Sequence, residues 1–232
     1  MGDDGQDGSG VDFVTPYYED EWVRLYHGDC REVTEWLAAD VLVTDPPYGI
    51  GWSKGQNNAA GSQAHPGIQN DADTSARDSA LSAWGEPRPA VVFGSLRAPF
   101  PRGVKQTLVW RKPVDAGVVG STIGYRTDTE LIFLLGDHPR RTPQRSSLVV
   151  TGGGVAAYRT EHPHSKPPGL MEWLIDWIPG SVADPFAGSG SALVAAKQLG
   201  RKAIGVELEE RYCEIAARRL AQDVLDFEAG AS

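Results

Sequence analysis

Cysteine and methionine are scarce in this chain of 232 residues, with two of each, and long apolar runs are missing altogether. Nothing approaches the roughly 20 consecutive apolar residues of a membrane-spanning helix. Cys30 and Cys213 cannot by themselves build a zinc cluster, and without a signal-like segment they point to a soluble, cytoplasmic protein of a reducing compartment. His162 and His164 sit close together but lack the spacing of a helical metal pair, so they read as a solvated loop and no metal is expected. Positive charge is also in deficit, with 22 Lys and Arg against 31 Asp and Glu, a net −9 that speaks against a nucleic-acid partner.

The distribution of charge changes that judgement. Residues 1–40 carry 11 acids and 2 bases, whereas 97–145 carry 9 bases and 4 acids. One basic side on an otherwise acidic protein is compatible with phosphate contact. The length suits a single substantial domain, expected over 13–225, between a polar tail at 1–12 and a short one at 226–232.

Two stretches carry the chemistry. In the first, Val41-Leu42-Val43-Thr44 reads as a buried strand that ends in Asp45-Pro46-Pro47-Tyr48-Gly49. The prolines fix φ and remove donors, and they keep the residues before them out of the helical region, so the turn is stiff and extended. Past the carboxyl end of a strand it presents two acceptors, the Asp45 carboxylate and the Pro46 carbonyl, beside the flat face of Tyr48. A planar NH2 group, such as the exocyclic amine of a nucleobase, could donate both hydrogens there. A purely structural turn is the competing reading of so short a motif.

In the second, Ser181 to Asp184 reads as a short strand leading into Pro185-Phe186-Ala187-Gly188-Ser189-Gly190-Ser191 and then an apolar helix from Ala192 to Leu199. The glycines let a ligand approach the backbone, and the helix start offers unpaired N–H groups. Leu193 stands where a dinucleotide fingerprint wants its third glycine, which argues against NAD. A further strand, Lys202 to Val206, ends in Glu207, placed to accept from both hydroxyls of a ribose.

Between these stretches the pattern is thinner. Trp22 to His27 reads as a strand, followed at Gly28-Asp29 by a helical pattern over Arg31, Val33, Trp36 and Leu37; Asp29 suits either an N-cap or a ligand contact. Trp52 to Ser82 shows no sustained period and is expected to be a mobile loop beside the first motif, with Ile68 to Asp71 its most ordered point. Ala90 to Phe93 is another buried strand, and Gln106 to Trp110 with Glu130 to Leu135 reads as an antiparallel pair. Residues 137–160, with Arg140, Arg141, Arg145, Arg159 and Gly152-Gly153-Gly154, are the one place with room for a specificity element. A helix is expected from Gly169 to Ile178.

Taken together, DPPYG at 45–49, DPFAGSG at 184–190 and IGVELEERYCEIAARRL at 204–220 resemble the S-adenosylmethionine-dependent DNA amino-methyltransferases. HGD at 27–29, LVWRKP at 108–113 and HPHSKPPGLMEWLI at 162–175 are looser likenesses to the same family. The resemblance implies an α/β, Rossmann-like methyltransferase fold: a mainly parallel seven-stranded sheet with one antiparallel strand, in the permuted motif order of the β group. It implies transfer of a methyl group from S-adenosyl-L-methionine to N6 of an adenine flipped out of double-stranded DNA. Asp45, Pro46, Pro47 and Tyr48 would be catalytic. Asp29, Asp184, Phe186, Gly188, Gly190, Ser191, Glu207 and Lys166 would hold the cofactor. Arg111, Lys112, Arg140, Arg141 and Arg145 are the phosphate-contact candidates.

N4 of cytosine offers the same NH2 geometry, although family members with that activity tend to carry Ser in place of Asp45. A binding module without turnover is the other alternative. Two departures from the family pattern stand out: the recognition region at 137–160 is small, and Thr129-Glu130 replaces a frequent His-Glu. The likeness allows a homodimer, a helper subunit or a cognate restriction enzyme, in a bacterial or phage-infected cell.

Overall fold

The computed structural model describes residues 14–51, 69–112, 124–151 and 166–229, with the side chains of the last helix described as far as residue 222. The tail at 1–12, the loop at 53–68, the Gly152-Gly153-Gly154 run, Arg159, His162 and His164 lie outside the described residues.

The strands are β1 (Tyr18–Glu19), β2 (Val23–His27), β3 (Val41–Thr44), β4 (Ala90–Gly94), β5 (Val104–Arg111), β6 (Thr129–Leu135), β7 (Leu148–Val150), β8 (Val182–Asp184) and β9 (Ala203–Glu207). The helices are α1 (Ser75–Trp84), α2 (Pro168–Asp176), α3 (Ser191–Gln198) and α4 (Glu210–Ala229). All nine strands join one sheet in the order β1-β2-β9-β8-β3-β4-β6-β5-β7. From β2 to β4 every neighbouring pair is parallel, whereas β6 runs against both β4 and β5.

Among the described residues the sheet has nine strands, two more than the seven expected. The additions are β1, a two-residue antiparallel edge, and β7, three residues parallel to β5 inside the stretch expected to be an insert. Strands this short are below the length at which alternation shows in a sequence.

The middle of the sheet is apolar because it is covered twice. Every residue of β3, β4, β8 and β9 is buried, as a parallel sheet with helices on both faces requires. Successive side chains of β3 alternate between the layers. Val41 and Val43 belong to one layer with Leu170, Leu174 and Leu193 of α2 and α3, along with Cys213, Ala216 and Leu220 of α4. Leu42 points the other way, into a layer built on Trp36, Ala80 and Trp84. The two indoles of that layer stack at 6.0 Å between centroids and 11° between planes.

Two expectations fail for local reasons. The helix expected over Arg31 to Leu37 is only a 3-10 turn, Glu35–Ala38. The Asp29 carbonyl takes the N–H groups of Glu32 and Val33, and the Trp36 indole occupies the Cys30 carbonyl at 3.0 Å, an acceptor that α-helix propagation would need. Conversely, the end of the stretch read as a loop is helix α1, whose buried residues are Ala76, Arg77, Ala80 and Trp84. Two alanines and an arginine make a weak apolar signal. Arg77 is buried with its guanidinium on the Asp78 carboxylate and the Pro99 carbonyl.

From β3 the chain crosses through α1 to β4 on one side, and from β8 it crosses through α3 to β9 on the other. The carboxyl ends of β3 and β8 therefore flank a topological switch point, the position where open α/β sheets take ligands.

Candidate active site

A cleft of about 740 Å³ opens at that switch point. Its lining includes Asp29, Asp45, Pro46, Pro47, Tyr48, Lys112, Lys166, Asp184, Phe186, Gly188, Ser191 and Glu207, so twelve of the seventeen sequence-derived candidates share one cavity. The Thr44 hydroxyl donates to Asp184 Oδ1 at 2.7 Å and ties the tips of β3 and β8 together.

The turn after β3 is clamped from the far side of the 52–68 segment. Asp71, only 3 % exposed, accepts the Gly49 N–H on Oδ1 at 2.7 Å, and its carbonyl takes the Gly51 N–H at 2.7 Å. Gly49 has φ +72°, and a Cβ there would come within 2.6 Å of the Asp73 backbone, so the turn needs a glycine. Asp71 thus ties the end of this stretch to the turn after β3, and it had no assigned role in the sequence reading.

Around Asp45 the site is a web of charges. Tyr48 donates its hydroxyl to Asp45 Oδ1 at 2.8 Å, and Lys166 Nζ reaches Asp45 Oδ2 at 2.8 Å. The same ammonium lies 2.9 Å from Glu130 Oε2 and 3.2 Å from the Tyr48 oxygen. Lys112 Nζ sits 2.6 Å from Glu130 Oε1. Lys166 is 8 % exposed and faces the rings of Phe93, Tyr48 and Trp110 at 4.8, 5.7 and 6.0 Å. Burial pushes the Glu130 carboxyl up, but the Lys166 and Lys112 ammoniums outweigh it and hold the group at about 2. Burial opposes the charge on Lys166, and Asp45 with Glu130 more than restores it, raising its pKa. Tyr48 is raised well above its ordinary value by burial and by the two carboxylates.

The other half of the cleft is built on backbone. Glu207 accepts the Gly188 N–H on Oε2 at 2.7 Å and the Glu209 N–H on Oε1 at 2.8 Å, and burial raises its pKa. Asp184 is 4 % exposed; its Oδ1 takes the Thr44 hydroxyl and, at 3.2 Å, the Phe186 N–H, while Oδ2 has no partner among the described residues. Burial pushes this carboxyl up to about 7. Gly188, at φ +52°, has open space where a side chain would stand. Gly190 lies outside the cleft lining, at the start of α3, where a Cβ would sit 3.0 Å from Ala216.

Asp29 lines the cleft but is not an N-cap, because the 3-10 turn has Thr34 at that position: its Oδ1 accepts the Arg31 N–H at 2.9 Å within a local turn and its carboxylate pairs with the Arg31 guanidinium, which lowers its pKa. The basic candidates divide. Lys112 belongs to the charge web, and Arg111 ends β5 beside it. Arg140, Arg141 and Arg145 are not in the cleft lining. Arg145 binds the Trp173 carbonyl and Asp176 Oδ2 and lies over Trp173 and Trp177 at 4.9 and 4.5 Å, and Arg141 lies over Trp177 at 5.4 Å. The cleft instead takes Arg97 and Arg126, which sequence reasoning left in the general basic count. Both follow the ends of apolar or Gly-marked segments, a signal too common to single them out. Among the described residues no group of His, Cys, Asp and Glu is arranged to hold a metal, and no helix is long and apolar enough to cross a membrane.

The chain is also similar to known proteins. Residues 97–218 match the family model described as DNA methylase, N6/N4 type. The chain is 32 % identical to the YubD protein of Escherichia coli (strain K12) over 222 residues, which cover 90 % of this chain and 95 % of that one. With the type II methyltransferase M2.LlaDCHI of Lactococcus lactis subsp. cremoris it shares 26 % identity across 91 % of its own length and 94 % of the relative's. Among solved structures, M1.HpyAVI superposes with a TM-score of 0.59 at 23 % identity, covering 85 % of this chain and 98 % of that chain. The cytosine-N4-specific PvuII DNA methyltransferase does so at 0.58 and 15 %, covering 88 % of each. The chain belongs to the N6/N4 DNA methylase family.

Proposed function

We propose that this family member transfers a methyl group from S-adenosyl-L-methionine to the exocyclic N6 amine of an adenine flipped out of double-stranded DNA. One observation carries the reading: Asp45, the residue an amine would meet, and Asp184 and Glu207, suited to a cofactor, end neighbouring strands and line the same cleft. TTHA0409 of Thermus thermophilus, a protein of the same fold with a TM-score of 0.56 and 24 % identity over 87 % of this chain and 94 % of that chain, binds S-adenosyl-L-methionine.

The residues present fit that cofactor. Each Glu207 oxygen already takes one backbone N–H and keeps a lone pair for a ribose hydroxyl. The unpartnered Asp184 Oδ2 suits an ammonium, and the open space at Gly188 leaves room beside it. Phe186 and Ser191 line the same wall. Bound there, the cofactor supplies an electrophilic methyl group on a sulfonium.

The protein's part is positioning. An adenine amine is a poor nucleophile because its lone pair is delocalised into the ring. Asp45 and the Pro46 carbonyl, accepting its two hydrogens, favour a pyramidal nitrogen with the lone pair aimed across the cleft. Tyr48 offers a ring for the base to stack on. Duplex stacking hides the amine, so the base is extruded first. Asp45 favours adenine over the N4 amine of cytosine. Arg97, Arg126 and Arg111 are the cations in or beside the cleft for phosphate contact, whereas Arg141 and Arg145 brace α2. The order of the two motifs follows the permuted β group, and the described part of 137–160 suits a short recognition site or a helper subunit.

Nucleoside mass spectrometry of DNA from a methylation-free host expressing the chain tests this directly. N6-methyladenine is expected with the parent and not with Asp45→Ala. N4-methylcytosine would reassign the acceptor, and DNA without either base would overturn the reading.

A further inference from the structure

The resemblance assigns Lys166 to the cofactor, yet its ammonium is engaged elsewhere. It bridges Asp45 Oδ2 at 2.8 Å and Glu130 Oε2 at 2.9 Å, and Glu130 in turn holds Lys112 at 2.6 Å. The residues come from four places: the turn after β3, the start of β6, the residue after β5 and the residues just before α2. Because β6 runs antiparallel, its first residues reach the same edge of the sheet as the last residues of β3. That reversal is what brings Glu130 to Asp45.

A lone buried ammonium beside the amine acceptor would oppose the reaction. As the amine lone pair forms the N–CH3 bond, the C–S bond breaks with its electrons left on sulfur, and positive charge moves onto the nitrogen. One N–H proton then passes to the Asp45 carboxylate and on to water, leaving a neutral secondary amine. Lys166, 8 % exposed and walled by three aromatic rings, has little solvent to screen it from that charge. Two carboxylates and two ammoniums make the web neutral as a whole.

We infer that Glu130 is a positioning residue for methyl transfer: it neutralises Lys166, so that Lys166 can fix Asp45 and Tyr48 without repelling the charge that develops on the amine. This rests on the proposed function and adds to it a role for Glu130 and Lys166 at the acceptor end of the cleft, away from the cofactor. Removing the Glu130 charge leaves two ammoniums around one carboxylate. Removing Lys112 as well restores neutrality.

Single-turnover methyl transfer to DNA at saturating S-adenosyl-L-methionine, with calorimetric cofactor affinity and a thermal melt on each variant, tests the inference. Glu130→Gln is expected to slow transfer about 100-fold while leaving cofactor affinity unchanged. Adding Lys112→Met to it is expected to speed transfer again, which a purely structural role for Glu130 does not predict. Glu130→Asp, which keeps the charge, is expected to stay near the parent and guards against misfolding of the glutamine variant. A parental rate in Glu130→Gln, or a double variant as slow as the single, overturns the inference while leaving the proposed function standing. Lost cofactor affinity at an unchanged transfer rate overturns it too, and returns the pair to the cofactor end. A parent chain that methylates no DNA removes both.

Discussion

On the β3 and β6 side of the cleft Asp45 and Glu130 meet ammonium groups, whereas on the β8 and β9 side Asp184 and Glu207 meet backbone N–H groups and one hydroxyl. The consequence for charge is opposite. Glu130 is buried but held at about 2 by its lysines, while burial raises Asp184 to about 7 with no cation among the described residues to oppose it. One side is balanced before anything binds. The other is short of positive charge, and a cationic ligand with donors would complete it. In the proposed function, substrate chemistry and cofactor recognition are separated by the kind of partner each carboxylate is given.

The pair Asp45→Ala and Glu207→Ala probes that separation hardest. Asp45→Ala is expected to lower the transfer rate by about 10³-fold or more with cofactor affinity nearly unchanged. Glu207→Ala is expected to weaken cofactor binding about 10- to 100-fold, with most of the rate recovered at saturating cofactor. Calorimetry beside single-turnover kinetics reads both, and a shared loss in both quantities for either variant would erase the distinction.

A finer test uses pH. Binding an ammonium beside Asp184 requires its charged form, so cofactor affinity is expected to rise about tenfold per pH unit up to about 7 and then level off. Asp184→Asn should flatten that dependence. The sign for folding is the reverse: the Asp184 carboxyl titrates higher folded than unfolded, so its contribution to stability is complete below its ordinary range near 3.8 and is lost as pH rises to about 7. Glu130, depressed to about 2, contributes above its ordinary 4.5 and loses that contribution as pH falls toward 2.

The smallest effect concerns the clamp. Asp71→Ala removes the acceptor of the Gly49 N–H and is expected to destabilise the fold by about 1–3 kcal/mol. A lower thermal midpoint with a milder loss of transfer than Asp45→Ala is the expected result; an unchanged midpoint would show that the turn after β3 holds itself.

Much of the frame was legible because the central strands are apolar runs that end in a single acid: Thr44-Asp45, Asp184 and Glu207. Those acids announce the cleft. The partners that give them their character were not legible, since they come from far along the chain. Lys166 lies 118 residues from Tyr48 and 36 from Glu130, and no spacing rule links such positions. Charge counting failed for a related reason. It found the basic stretch but could not tell Arg145, stacked on Trp173 and Trp177, from Arg97 in the cleft. Helix α1 escaped because alanine and a buried arginine fill the positions where leucine would have drawn attention.

The β5–β6 hairpin pairs out to Arg111 opposite Thr129, with the Lys112 N–H on the Asp128 carbonyl, and its two ends meet at the rim of the cleft. For protein engineering this is a splice point. A guest segment joined between those ends would stand at the rim of the cleft, while the paired strands beneath keep their register and their hydrophobic layers. The same ladder sets the limit of the graft. Its last pairs, Arg111 with Thr129 and Lys112 with Asp128, adjoin the Lys112–Glu130 ion pair, so an insertion that pried the strand ends apart would disturb the charge web around Asp45.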